Sequence, residues 1–404
     1  MGTLYGCEQV RALWDNRGVA TASKQTERSR QTDQKVAESA ANAVRRDGFD
    51  QMALTRVAAD AGYSSGVIYA RCDDRSELMV LAWEKSFWPS LAEVLDAAFG
   101  AMVGRDGAAL DAALDLWRER TSSTTIPDIG SAVEVIVAAR RDEVVSEVVH
   151  ADISALMARH GVGPDATGPV RELLVLTAST LLGTALLNSA MPEDTEIRID
   201  PRPLLQLFIS GQPATTPAST TTEDLPPVAI PSTGDEVRDA LINATEYVIA
   251  RSGVHRATVS RIARRANISV GAIYGLYENK ETLVLDCVSV VHQPRAKQDL
   301  AAWLRIGAED IRTTMSLTLR QSLSDAHAQW RNFRIEYLVA ARHSPALARL
   351  VEDFNVDTIE GANASSSRKL LRGVPARGTI VGLAVMATVD PTICRLGWNW
   401  FPIG

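Results

Sequence analysis

An all-α fold made of two related halves is predicted by three features of this 404-residue sequence. Apolar residues recur at three- and four-residue steps, as at Val237, Ala240, Leu241, Ala244 and Val248, and no alternating strand run of useful length occurs. Residues 48–79 align without a gap on residues 253–284 at an offset of 205. A proline- and threonine-rich stretch at 211–234 cuts the chain near its middle.

Composition sets the outer limits. Hydrophobic residues at 46% and charged residues at 23% fit a globular chain long enough for two or three cores. Cys7, Cys72, Cys287 and Cys394 lie far apart, with no C-x-x-C pair, which predicts a reducing cytoplasm and neither a disulfide framework nor a zinc ribbon. His150 and His160 are ten apart on one predicted helix and cannot share a metal, so no metal or other cofactor is expected. Glu8, Arg11 and Asp15 interrupt any signal-peptide core. Residues 173–191 are uncharged and reach membrane-span length, but Thr177, Ser179, Thr180, Thr184, Asn188 and Ser189 dilute them. They read as a helix buried in protein, with no membrane partner. The net charge of −7 speaks against a uniformly basic nucleic-acid binder, so local charge must decide.

The elements follow in order. Residues 1–32 form a polar, mildly basic arm without periodicity, expected to be disordered. Residues 33–84 form a first helical head with its motif at 53–72, and residues 85–210 a first helical body. The linker spans 211–234, with five prolines and six threonines. Residues 235–288 form a second head with its motif at 258–277, and residues 289–404 a second body. Between the heads the identities are Gly48, Arg56, Ala58, Ala61, Ser64, Gly66, Ile68, Tyr69 and Leu78. Between the bodies, Val137-Ala138-Ala139-Arg140 resembles Val339-Ala340-Ala341-Arg342. A duplication explains both.

Each head carries a helix-turn-helix pattern. In the second, an amphipathic helix from Asp235 stops at Gly253, and Thr258 caps a short helix ending near Ala266. Asn267 suits a left-handed turn, where the first copy has Gly62. Ser269 caps the next helix, as Ser64 does in the first copy. Ile262, Ala266, Ile268 and Ile273 are predicted to face inward, and Val270, Ala272 and Gly275 outward. Small outward residues let a helix sink into a major groove. Tyr274 offers a hydroxyl to a phosphate, with ring packing as the plainer alternative. Thr258 and Ser269 place helix N-termini toward the same ligand.

This pattern resembles the TetR family of bacterial regulators, whose heads read T-x-x-x-I-A-x-x-A-G-V-S-x-G-x-L-Y-x-H-F-x-x-K-x-x-L. The second copy matches with Thr258, Ile262-Ala263, Ala266, Ser269, Gly271, Ile273-Tyr274, Tyr277, Lys280 and Leu283. The first matches with Val57-Ala58, Ala61-Gly62, Ser64, Gly66, Ile68-Tyr69 and Leu78, with Arg75 for the lysine. It departs at Ala53, where the capping threonine is missing, and at Cys72, where the closing aromatic is missing. Residues 251–265 hold five arginines and no acid, whereas residues 46–60 hold Arg46 and Arg56 against Asp47, Asp50 and Asp60. The run of arginines reads either as a phosphate-binding face or as a solvated one.

The resemblance implies a sequence-specific DNA-binding transcriptional regulator, a repressor released by a small apolar effector. The implied DNA-binding residues are Thr258, Ser269, Val270, Ala272, Tyr274, Gly275 and Lys280 in the second head. In the first they are Ser64, Ser65, Val67, Tyr69, Ala70 and Arg75. In this family the last long helices of two subunits pair, so residues 173–190 and 380–393 are expected to pack within one chain. The result would be a pseudo-two-fold monomer on a double-stranded operator. The alternative is a helical ligand sensor or partner platform whose heads have lost DNA contact. An enzyme is not expected, since no nucleophile elbow, phosphate loop or metal spacing is present.

Overall fold

The computed structural model describes residues 27–122, 128–163, 166–196, 198–212, 232–306, 311–364 and 373–398. Among these the chain is helical without a strand. The first helix, α1 (Glu27–Asp47), begins inside the stretch expected to be a disordered arm. The helix extends back to Glu27, ahead of its buried stripe, which begins at Thr32 and continues through Val36, Ala37 and Ala40. The remainder of that expected arm, and the linker residues 213–231, lie outside the described residues.

The first half continues with α2 (Leu54–Asp60), α3 (Ser65–Tyr69) and α4 (Arg75–Ala82). A π-helical turn over Trp83–Phe87 leads into α5 (Trp88–Gly104). The body is completed by α6 (Gly107–Arg120), α7 (Ile129–Ala139), α8 (Glu143–Arg159), α9 (Pro169–Ser189) and α10 (Arg202–Ser210). The second half holds α11 (Glu236–Arg256), α12 (Val259–Ala266), α13 (Val270–Leu276) and α14 (Lys280–Ile306). There follow α15 (Ile311–Leu323), α16 (Ala328–Ala341), α17 (Pro345–Ala364) and α18 (Gly373–Val389).

The uncharged run of the sequence falls in α9, the one helix among the described residues long and apolar enough to cross a membrane. Protein covers it instead: 89% of its most apolar window is buried. Its main neighbour is α18, and this is the most extensive helix–helix contact among the described residues. The backbones touch. A methyl group added at Gly183 would run into the Gly378 carbonyl and the Gly382 backbone, and one added at Gly382 would run into Ser179. Between these points the Thr180 and Thr379 hydroxyls hydrogen-bond at 2.8 Å, so neither is left unsatisfied inside the core. The expected pairing of residues 173–190 with 380–393 is therefore found, except that α18 begins at Gly373. It ends at Val389, because Pro391 cannot continue it and a 3-10 turn (Pro391–Arg395) carries Ile393. Helices α7 and α16 lie against this pair, so two helices from each half share one core.

Charged contacts between α7 and α16 repeat the same reciprocity. Glu134 on α7 receives Arg342 at 2.6 Å and His343 at 2.8 Å. Glu336 on α16 receives Arg140 at 2.5 Å and Arg141 at 3.2 Å. Each residue of one pairing lies 202 positions from its counterpart in the other, the offset of the Val-Ala-Ala-Arg echo. The glycines that end the first helix of each half sit against the same groups. A side chain at Gly48 would press on Glu134 and His343, and one at Gly253 on Glu336 and Arg141.

Candidate nucleic-acid interface

The second head is assembled from short-range signals. Asp235 caps α11 by accepting from the Val237 and Arg238 amides, and Gly253 leaves helical geometry with φ 77°. The long helix therefore stops at Gly253 as expected, and a separate short helical turn runs on to Arg256, as the 3-10 turn Phe49–Gln51 follows Gly48 in the first half. The Thr258 hydroxyl accepts from the Arg261 amide at 3.3 Å and starts α12. Asn267 adopts φ 56°, the left-handed conformation that Gly62 adopts with φ 77° in the first half. Ser269 caps α13 by accepting from the Ala272 amide at 3.1 Å. Ile262 and Ile273 are buried, Ala266 and Ile268 half-buried. They fix the angle between α12 and α13.

The outward residues stand where the pattern put them. Ser269, Val270, Ala272, Tyr274 and Gly275 are all exposed, as is Thr258. Tyr274 is 55% exposed, which removes ring packing as its role. Lys280 is different. It is half-buried, and its Nζ donates to the Val254 carbonyl at 2.8 Å and the His255 carbonyl at 3.2 Å. Burial pushes its pKa down. Arg75 does the same work in the first half, donating to the Asp50 carbonyl at 3.1 Å with its guanidinium over the Phe49 ring. Both cations hold the turn that follows the first helix of their head.

In the first half, Ser65, Tyr69 and Ala70 are exposed and Val67 is half-buried. Ala53 makes no cap bond, as expected. Ser64 corrects an expectation: it occupies the N-cap position with extended dihedrals, but its hydroxyl makes no cap hydrogen bond. Cys72 is buried where the second half has Tyr277, and burial pushes its thiol up to about 12.

Sequence reading missed how the second head closes. The Tyr277 hydroxyl donates to Asp286 at 2.6 Å, and Arg238 donates to the same carboxylate at 2.9 Å. The Arg238 hydrogen bond, with Tyr277's, holds the Asp286 carboxyl below its ordinary value. Arg238 and Asp286 are 48 apart in sequence, so no spacing rule could join them. In the first half Arg71 closes the head by pairing with Asp33 at 2.6 Å.

Surface charge separates the heads. Arg46 pairs with Asp47 at 2.8 Å and Asp60 at 3.2 Å, and Arg56 with Asp47 at 3.4 Å. In the second head Arg256 is taken by Asp50 at 2.9 Å. Arg251, Arg261, Arg264 and Arg265 make no ion pair among the described residues. Arg251 and Arg265 sit over the Tyr247 ring, at 5.5 and 4.0 Å from its centroid. Both arginines are exposed, so the stacking leaves the guanidiniums at the surface.

Residues 241–287 match the family model of the bacterial regulatory proteins of the tetR family. The match spans most of α11 through the start of α14, the segment whose caps and turn are described above. It supports a DNA-binding transcriptional regulator with a tetR-type head in the second half. No curated protein matches the chain.

Proposed function

We propose that the chain binds a double-stranded operator as an intramolecular pair of tetR-like heads, the second supplying most of the affinity. The carrying observation is that α13 is exposed at every residue but Ile273, in a head whose Arg251, Arg261, Arg264 and Arg265 make no ion pair among the described residues. Such a surface suits phosphate on either side of a groove. The alternative of heads without DNA contact fits only the first, where Asp47 and Asp60 occupy the arginines.

The reciprocal contacts of Glu134 with Arg342 and Glu336 with Arg140 support a pseudo-two-fold pairing of the halves, as does Thr180 with Thr379. For the apolar effector, the proposal points to the second body. There His292 stacks on Phe354 at 4.1 Å, flanked by Tyr337 and Trp330. The gap beside them is about 20 Å³, so an effector would have to open it, which is how binding could be coupled to the heads.

Retention of genomic DNA fragments on the full chain, followed by sequencing, tests this reading. Enrichment of a few sites with the chain sedimenting as a monomer is the expected result. Failure to retain duplex DNA at low salt would overturn it.

A further inference from the structure

We infer that the second head reads thymine-containing sequence through C5-methyl groups in the major groove, with Val270, Ala272 and Leu276 as the contacting side chains. This rests on the DNA-binding reading above and names the chemistry it recognises. The side chains of α13 are Val270, Ala272, Ile273, Tyr274 and Leu276, with glycine at 271 and 275. Ile273 is buried, and every other residue of α13 is exposed. Val270 is 38% exposed and Leu276 52%, two of the few large apolar side chains left in water.

The usual hydrogen-bonding partners in the major groove are Arg or Lys for guanine, Asn or Gln for adenine and Asp or Glu for cytosine, with Ser or Thr less selective. Helix α13 carries none of these. What an apolar side chain can distinguish there is the thymine methyl group. The two glycines fit the same conclusion. Glycine weakens a helix interior, and neither serves packing within the chain: a methyl group at Gly275 would meet nothing within 4 Å, and at Gly271 only the Ser269 Oγ at 3.9 Å. A bare helix surface allows a partner to come close from outside. An anionic partner suits this head, because its Arg251, Arg261, Arg264 and Arg265 make no ion pair among the described residues.

The first half does not share this face. Ser65 stands at the place of Val270, Val67 is half-buried, and Arg71 stands at the place of Leu276. Arg71 is held by Asp33. Thymine-methyl readout is therefore a property of the second head.

The test uses the full chain and a pool of random-sequence duplexes. Sites enriched by repeated selection are resynthesised with uracil replacing each thymine in turn, which removes one methyl group and leaves base pairing intact. Each contacted thymine should lose about fourfold in affinity, the value of burying one methylene-sized group. Val270→Ala and Leu276→Ala, both at exposed positions, should weaken binding to the thymine site. Their loss should shrink on the uracil duplex at the matching position. Unchanged affinity with uracil throughout, or an enriched half-site without thymine, overturns the inference while leaving DNA binding intact. Duplex retention without any enriched sequence has the same consequence. No retention at low salt overturns the inference and the proposed function together.

Discussion

Arg256 Nε donates to Asp50 Oδ1 at 2.9 Å, which ties the turn after the first helix of the second half to the matching turn of the first half. Asp50 also receives Arg141 at 2.8 Å, and Arg141 donates onward to the Ser252 carbonyl at 3.0 Å. One carboxylate thus joins the N-terminal parts of both halves to the end of α7. Asp50→Ala leaves Arg141, only 8% exposed, without that partner, and should cost about 3 kcal/mol in denaturant unfolding. Arg256→Ala should cost under about 1 kcal/mol, since its side chain is 37% exposed. Equal costs would show that the half-exposed pair, not the buried one, does the holding.

The two glutamates at the centre respond oppositely to acid. Burial pushes the Glu134 carboxyl up, but His343, Arg342 and the Phe49 amide together bring it below its ordinary 4.5. Its stabilisation is complete above 4.5 and lost as pH falls through the folded value. Burial raises the Glu336 carboxyl, and Arg141 and Arg140 only partly offset this. Folding then takes up a proton between 4.5 and the raised folded value, so that contribution improves as pH falls through this window. In unfolding free energy against pH, Glu134→Gln should flatten the acid limb below 4.5 and Glu336→Gln should steepen the rise above it. Identical slope changes would contradict the assignment.

The crossing of α9 and α18 tolerates no side chain at its closest point. Gly183→Ala must push the α18 backbone away from Gly378 and Gly382. A loss of about 3 kcal/mol is expected, with the Thr180–Thr379 bond broken. Gly163→Ala is the control, because a methyl group there meets nothing within 4 Å. Chemical denaturation of both variants distinguishes a packing effect from a general intolerance of substitution.

Salt dependence should separate the heads. Arg264→Ala removes an arginine without an acid partner among the described residues, and should lower the log–log salt slope of DNA binding by about one unit. Arg46→Ala should leave the slope unchanged, because Asp47 and Asp60 already neutralise that arginine. Tyr274→Ala should weaken binding severely, and Tyr69→Ala by about 1 kcal/mol. Lys280→Ala should weaken binding too, and should also cost about 1 kcal/mol of stability, since its ammonium holds the Val254 and His255 carbonyls. Titration at two salt concentrations, with equal slopes lost from both heads, would count against the asymmetry.

What the sequence determined by itself is local. The caps at Thr258 and Ser269, the left-handed turn at Asn267, the inward Ile262 and Ile273 and the exposed Tyr274 all depend on residues within a few positions of one another. Backbone dihedrals and 3.6-residue periodicity act at that range, so pattern reading reaches them. The same holds for the uncharged run of α9, whose composition already called for burial in protein. What only the tertiary structure decided is how charge is spent. Arg46, Arg256 and Lys280 look alike in a count of basic residues. One is neutralised by Asp47 and Asp60, one is drawn to Asp50 206 positions away, and one is turned onto the carbonyls of its own head. Ion pairing falls off within a few ångströms and disregards sequence distance, so folding alone settles which cations remain to face a partner.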